Sequence, residues 1–157
     1  MPASTNKKVL IRRFDREPLT GFVNPQAWQQ PQGLEVLSQS GSIAVIPYED
    51  VKIAFFVREF SEAPVAGRMF QTRPKMQGLW LRLHFKDGEV MDGLMPNNLL
   101  QVEPYGFTFL PPNATSNNQR VFVPRAAVTE VLVLGVVGAA SAKKEKPPAK
   151  EQIGLFD

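Results

Sequence analysis

The chain contains no cysteine. It therefore cannot form a disulfide, hold a metal through thiolates or use a cysteine nucleophile, which fits a reducing compartment. Histidine is nearly absent as well, because His84 is the only imidazole, and one histidine supplies neither a histidine-rich metal site nor a histidine acid and base pair. Its neighbours on the same predicted strand face are Arg82 and Lys86. We interpret His84 as a solvated surface residue.

Sequence motifs of enzymes are also missing. There is no G-x-S-x-G elbow for a serine nucleophile, and no G-x-x-x-x-G-K-[ST] or G-x-G-x-x-G run follows a predicted strand. Asp87, Glu89 and Asp92 cluster along one predicted hairpin, where solvated polar side chains are expected near the turn. We therefore expect a non-enzymatic protein without catalytic residues, metal or cofactor; an enzyme with carboxylates assembled across an interface ranks last.

Long hydrophobic runs are absent. The most apolar run, residues 131–140, has about half of the roughly 20 residues that cross a bilayer. Residues 1–8 are polar and lack the apolar stretch of roughly 7–15 residues that a secretory signal requires. We expect a cytoplasmic protein with no membrane partner.

The net charge of +3 is not spread over the chain. Between residues 9 and 138, twelve arginines and lysines balance twelve aspartates and glutamates, and the excess lies in Lys7, Lys8 and the C-terminal lysines. A groove that binds nucleic acid needs clustered cations, so nucleic acid is a weakly supported partner. The aromatic residues that would stack bases are assigned to core packing instead: Trp28, Trp80, Tyr48, Tyr105 and most of the phenylalanines.

The sequence contains an internal repeat. Residues 9–23 superpose without a gap on 81–95, and after short insertions in the second copy residues 46–51 fall on 123–128. A repeat of roughly fifty residues predicts two related modules. The predicted organisation is a first module at 8–60, a linker at 61–77, a second module at 78–138 and a tail at 139–157.

Each module has the pattern of about five short strands. Between residues 79 and 86, apolar and polar residues alternate with a period of two, and Asp87-Gly88 then favours a tight hairpin turn. The returning strand contains Gly93, like Gly21 in the first copy, where a bulge or sharp bend is the usual reason for a missing side chain. The predicted fold is all-β: a tandem repeat of two small five-stranded barrels with a flexible C-terminal tail.

Bent strands, a glycine in the second strand and a one-turn connection before the last strand resemble the Sm-like and SH3-like small barrels. The whole chain also resembles an uncharacterised bacterial family of paired small barrels, through Arg-Arg-Phe-Asp at 12–15, Gly-Phe-Val-Asn-Pro at 21–25 and Arg-Val-Phe-Val-Pro at 120–124. This resemblance implies the fold and brings no established activity. The spacing of Arg12 and Arg16 resembles the start of PilZ domains, which bind a cyclic dinucleotide, but the second PilZ motif is missing at 37–41.

The last strand of each module, at residues 53–57 and 131–134, is apolar on both faces. An isolated barrel with one side in water would not tolerate such a strand. We expect the two strands to meet each other or a second chain, which leaves a homo-oligomer open.

The tail differs in composition from the modules. Residues 139–151 are mostly Ala, Lys, Glu and Pro, typical of a solvated linker, whereas residues 152–156 are Gln-Ile-Gly-Leu-Phe. This pentapeptide resembles the motif that binds the bacterial sliding clamp. The resemblance implies that Gln152 makes polar contacts at the edge of the clamp pocket, that Leu155 and Phe156 fill it, and that Ile153 packs beside them. The alternative is that 153–156 folds back as an edge strand on its own barrel or caps a neighbouring subunit.

The sequence thus predicts a non-enzymatic adaptor, tethered to the sliding clamp through its C-terminal peptide. The second hypothesis is a nucleic-acid-binding Sm-like module. The third is a structural oligomerisation module whose ligand is unknown.

Overall fold

The computed structural model describes residues 6–61, 69–112 and 118–138, and the structural statements below concern these residues. They form eleven strands: β1 Lys7–Arg13, β2 Leu19–Val23, β3 Gln29–Gln30, β4 Gly33–Ser38, β5 Ile43–Ile46, β6 Val51–Val57, β7 Gly78–Phe85, β8 Val90–Met95, β9 Gly106–Phe109, β10 Asn118–Pro124 and β11 Val128–Val137. Short 3₁₀ turns lie at Tyr48–Asp50, Leu99–Gln101 and Arg125–Ala127. None of the described helices has the length and apolarity needed to span a membrane.

The strands form two antiparallel sheets. The first has the order β3-β4-β2-β1-β6-β10-β9, with β5 also paired to β4, and the second has the order β11-β7-β8. The all-β prediction is therefore confirmed. Neither described sheet closes on itself as the predicted five-stranded barrels require, because β6 has β1 along one edge and β10 along the other, which leaves no edge of β6 for β5.

The two halves of the chain pair their strands at corresponding positions. In the first hairpin Val9 of β1 lies opposite Gly21 of β2, and in the later hairpin Leu81 of β7 lies opposite Gly93 of β8. The sequence repeat superposes these same residues on one another. The shared register follows from the shared alternation of apolar residues, because a slip by one residue would turn each core face outward.

The last strand of each half is paired in the same way. Phe56 of β6 lies opposite Val9, and Val133 of β11 lies opposite Leu81. Both ladders also have a register shift near the start of the last strand. The strand order β6-β1-β2 in the first half thus corresponds to β11-β7-β8 in the second half.

Strand β6 lies between the two hydrophobic cores. Ile53, Phe55 and Val57 belong to one buried cluster, whereas Val51 and Ala54 belong to the other. Both faces of β6 are therefore apolar because each covers a different core. Along its edges β6 pairs with β1 and β10 and not with the last strand of the second half, and the other predicted alternative, a contact with a second chain, stays a prediction.

The larger core cluster contains residues from both halves. Leu10 and Phe55 come from the first half and pack with Leu83, Phe109 and Val121 from the second. All except Leu10, which is 8% exposed, are at most 1% exposed. The second half consequently completes its core with side chains of the first.

The strand-interior glycines make room for packing. Of the two predicted reasons for Gly21 and Gly93, a bulge or a sharp bend, the bulge is not observed, because both hairpin ladders run through these positions without a register shift. A Cβ atom on Gly93 would lie 2.1 Å from the Phe109 ring, and one on Gly21 would lie 2.6 Å from the carbonyl oxygen of Leu37. Gly88 has the positive φ, 97°, that the predicted hairpin turn requires.

Candidate binding cleft

The site residues predicted from the sequence, Gln152, Ile153, Leu155 and Phe156, lie outside the described residues, as does the rest of the tail at 139–157. Their docking role stays a prediction. Any site argued from the structure must therefore lie on the β-sheet body.

A cleft of about 650 Å³ opens beside β8 and β9, and we call it the β8–β9 cleft. Its apolar lining is formed by Leu94, Met95, Pro96, Phe109 and Leu110, and its polar lining by Gln77, Thr108 and Arg120. The volume lies within the range of roughly 300–1,000 Å³ that is typical of ligand sites.

The cleft exists because β8 and β9 meet at a single bridge. Leu94 and Leu110 exchange two backbone hydrogen bonds of 2.9 Å each, and this pair is an isolated bridge outside the named ladders. In the first half, β2 and β4 form a ladder that includes the pair Phe22 and Leu37. Beside the bridge Pro96 is exposed and Leu110 is partly exposed, whereas Leu94, Met95 and Phe109 are buried at the base of the cleft.

Arg120 lies between the cleft and a smaller neighbouring cavity. The smaller cavity, of about 200 Å³, is lined in part by Trp28, Phe56 and Glu103 and shares Thr108 and Arg120 with the cleft. Thr108 donates a hydrogen bond of 2.8 Å from Oγ1 to the Glu103 carboxylate. The exposed Arg120 therefore brings positive charge to the border of an apolar cavity. Such a site suits a ligand with an apolar body and an anionic group.

A buried carboxylate fixes the strand that lines the cleft. Asp92 of β8 is 0% exposed. Its two oxygens accept hydrogen bonds from Arg82 Nε at 2.7 Å, Arg82 Nη2 at 3.1 Å, Trp80 Nε1 at 3.1 Å and the backbone N of Phe70 at 3.0 Å. Burial alone would raise the pKa of Asp92, but these four donors outweigh it and hold the pKa below its ordinary value. The carboxylate stays ionised and fully paired, which is a structural role.

The prediction of solvated side chains concerns Asp87 and Glu89 near the turn, whereas Asp92, farther along the hairpin, is buried. Burial of this side chain is possible because Arg82 lies directly opposite on β7 and offers two donors to it. Because the Asp87-Gly88 turn fixes the hairpin register, the pairing of Arg82 with Asp92 was predictable from the sequence. The segment near Phe70, which also reaches Asp92, was not predictable from a local pattern.

The other two carboxylates of the hairpin contact a lysine of the first half. Lys52 Nζ lies 2.7 Å from Asp87 and also contacts Glu89. His84, predicted to be a solvated surface residue, is partly exposed and lies opposite Glu130 of β11. Among the described residues, no cluster of three His, Asp or Glu side chains is placed to hold a metal ion.

The aromatic residues mostly pack against one another. Trp28 is 3% exposed, and its ring centroid lies 5.3 Å from those of Phe56 and Phe122. Tyr48 stacks on Tyr105 of the second half at 5.0 Å and donates a hydrogen bond of 2.6 Å to the carbonyl oxygen of Gln30. Burial, assisted by the nearby Tyr105, raises the pKa of Tyr48 to about 12. These contacts agree with the predicted core packing of Trp28 and Tyr48.

Comparison with known proteins gives one match. Residues 5–135 match the model of a family described as a family of unknown function (DUF6982). Neither the curated proteins nor the solved structures contain a match. The coarser prediction of an uncharacterised family is confirmed, and the function has to be argued from this chain's own residues.

Proposed function

Since the chain belongs to the DUF6982 family of unknown function, we propose from its own residues that it is a non-enzymatic adaptor. In this proposal the β-sheet body is the binding module. Residues 152–156 are a docking peptide for a protein partner, the bacterial sliding clamp.

The proposal includes a finer description of the body as two Sm-like or SH3-like modules. The first half has the strand order β6-β1-β2-β4-β5. The second half has the corresponding order β11-β7-β8-β9-β10, with the Leu94–Leu110 bridge joining β8 to β9. Equal strand order and equal register support an origin of both modules from one repeated unit.

The observation that carries the proposal is the β8–β9 cleft. It offers about 650 Å³ of mostly apolar space with the Arg120 guanidinium at its border. Guanidinium groups hold carboxylates and phosphates through paired hydrogen bonds. The body therefore suits reversible binding of an apolar, anionic ligand.

The cleft is tested with a small probe of the same chemistry, anilinonaphthalene sulfonate, whose fluorescence rises in apolar sites. We expect saturable binding to the folded full-length chain, weakened about tenfold or more by Arg120→Gln, because a charged hydrogen bond contributes roughly 1.5–3 kcal/mol. Arg16→Gln is the matched control, since Arg16 is exposed and lines a different cavity. Equal weakening by both substitutions, or no saturable binding, would contradict the proposed role of the cleft.

The docking peptide is supported by its chemistry. Burial of Ile153, Leu155 and Phe156 in a hydrophobic pocket contributes roughly 5–8 kcal/mol, at about 1.5–3 kcal/mol for each side chain, before the cost of ordering the segment. Before that cost is subtracted, this free energy corresponds to a dissociation constant between about 200 µM and about 1 µM. Affinity of this order suits an adaptor that joins and leaves its partner.

The docking proposal is tested by titrating the full-length chain against a labelled sliding clamp and following fluorescence anisotropy. The double variant Leu155→Ala, Phe156→Ala should weaken binding at least about 50-fold, because it removes most of the apolar area that is buried. A double variant of the linker lysines, Lys146→Ala with Lys150→Ala, should bind within about threefold of the wild type. Docking by these residues is excluded if the first variant binds like the second.

A second candidate function is binding of single-stranded nucleic acid, as in Sm-like proteins. The observation in its favour is that Lys7 and Arg120 both line the smaller cavity, beside the aromatic residues Trp28 and Phe56. Retention of the full-length chain on single-stranded RNA that falls steeply with salt, and that Lys7→Gln with Arg120→Gln reduces, would support it.

A further inference from the structure

Strands β5 and β11 each have one edge that pairs with no described strand, as does the two-residue strand β3. Strand β11 pairs with β7 alone, and β5 pairs with β4 alone. They are the two ends of a continuous series in which each strand contacts the next: β11, β7, β8, β9, β10, β6, β1, β2, β4 and β5. Unpaired backbone groups at such edges are ready to pair with another strand.

Both edges present apolar side chains to solvent. Ile43 and Val45 on β5 are 68% and 44% exposed, and Val133 on β11 is 60% exposed. Leu132 and Leu134, beside Val133, are 38% and 40% exposed. Proteins usually protect an open strand edge with charged residues, and these stretches contain none.

The chain already contains one interface between strands equivalent to these two. By the repeat, β11 corresponds to β6 and β5 corresponds to β10, and β6 pairs antiparallel with β10 inside the chain. In that pairing Phe55 lies opposite Val121 and Ala54 lies opposite Phe122. The last strand of one module is thus built to receive the fourth strand of another.

The side chains at the internal interface are buried, whereas the equivalent side chains at the open edges are exposed. Phe55, Val121 and Phe122 are all 0% exposed. Their equivalents under the repeat are Leu132, Ala44 and Val45, which are all exposed. The same positions are therefore apolar in both modules, but they are covered only where β6 meets β10.

We propose that a second copy of this chain covers these edges, so that β5 of one copy pairs antiparallel with β11 of the next. Transferring the register of the internal interface places Ile43 opposite Val133, Ala44 opposite Leu132 and Val45 opposite Val131. Arg73, which donates a 2.8 Å hydrogen bond from Nη2 to the carbonyl oxygen of Val136, lies beyond this stretch. The contact is between unlike edges, so each added copy leaves one β5 edge and one β11 edge open. Such contacts form closed rings or open chains larger than a dimer.

The test is sedimentation velocity of the full-length chain from about 1 to 100 µM. The wild type should assemble beyond a dimer, whereas Val133→Lys and Ile43→Lys should each remain monomeric, because each blocks one of the two edges. Leu99→Lys is the matched control: Leu99 is 79% exposed on a 3₁₀ turn away from both edges, and the substitution should leave assembly unchanged. Circular dichroism checks that all variants are folded.

Mixing the two blocked variants distinguishes this interface from other modes of assembly. The intact β5 edge of Val133→Lys can pair with the intact β11 edge of Ile43→Lys, so the mixture should form a dimer and nothing larger. A monomeric wild type over the whole range, blocked variants that assemble like the wild type, or a mixture that stays monomeric would each overturn the proposal.

The register has its own test, because the chain has no natural cysteine. The double variant Ala44→Cys, Leu132→Cys should give a ladder of disulfide-linked copies under mild oxidation. The control Ala44→Cys, Glu130→Cys, two residues out of register, should give little. Equal ladders from both variants would refute the proposed register.

Discussion

Replacing Asp92 by asparagine removes a buried charge while keeping the size of the side chain. The native carboxylate is fully buried and accepts hydrogen bonds from Arg82, Trp80 and the backbone of Phe70. Asparagine has one carbonyl oxygen in place of two carboxylate oxygens. Its amide NH2 group is itself a donor, so it cannot accept the hydrogen bonds that the second carboxylate oxygen accepts. The substitution therefore leaves at least one buried donor without an acceptor and removes the countercharge of Arg82.

The size of the effect follows from the type of pair that is broken. Removing one partner of a buried ion pair costs roughly 3–5 kcal/mol. The Arg82 side chain is 30% exposed and keeps part of its hydration, so the lower end of about 3 kcal/mol applies. With about 2–4 °C for each kcal/mol in a chain of this size, the melting temperature should fall by about 6–12 °C.

The measurement is urea unfolding followed by circular dichroism at one fixed protein concentration, with Asp87→Asn as the matched control. Asp87 also pairs with a cation, Lys52, but its side chain is 38% exposed, so its loss should cost less than about 1 kcal/mol. If Asp92→Asn unfolds within about 1 kcal/mol of the wild type, or if the control loses as much, the reasoning about burial is refuted.

The stability of Asp92→Asn should also depend on pH differently from that of the wild type. The pKa of Asp92 is lower in the folded chain than its ordinary value, so its stabilisation is present above the ordinary value and is lost as the pH falls through the folded pKa. The wild type should therefore lose more stability than Asp92→Asn between about pH 5 and 2. Parallel curves for the two proteins would show that Asp92 does not contribute as an ion.

Two further predictions concern packing and alkaline stability. Gly93→Ala should destabilise the chain by about 1–3 kcal/mol in urea unfolding because its Cβ would meet the Phe109 ring; Gly135→Ala on β11 should stay within about 0.5 kcal/mol, because the nearest atom is 4.0 Å away, and equal effects would contradict the packing at Gly93. Burial raises the pKa of Tyr48 to about 12 in the folded chain, so the free energy of unfolding should fall as the pH rises from about 10 to 12. Absorbance at 295 nm should show a step near 12 that Tyr48→Phe removes, and persistence of that step in the variant would contradict the assignment.

The parts of the fold that were predictable from the sequence are those set by local patterns. Alternation between residues 79 and 86 and the Asp87-Gly88 turn predicted the β7–β8 hairpin, which the structure places at Gly78–Phe85 and Val90–Met95. Such local patterns did not predict which strands distant in sequence pair with each other. The apolar character of β6 was recognised, but its partner β10 was not, because a pattern with two apolar faces is equally compatible with any covering surface.

The same limit applies to the candidate site. The β8–β9 cleft depends on a ladder that shortens to one bridge, and no residue type marks that change in the sequence. In the sequence Arg120 belongs only to a run that carries a family resemblance, and its place beside an apolar cavity follows from the pairing of β10 with β9. By contrast, the proposed docking peptide at 152–156 is a contiguous motif, which requires no knowledge of the fold.

The position of β6 between the two hydrophobic cores also determines how the chain should unfold. Because its two faces cover both cores, loss of either half would expose apolar side chains of the other half to solvent. Heat or urea should melt the whole body in a single cooperative transition. A fragment that contains only one half should therefore be less soluble than the full chain, because its apolar core residues would face solvent.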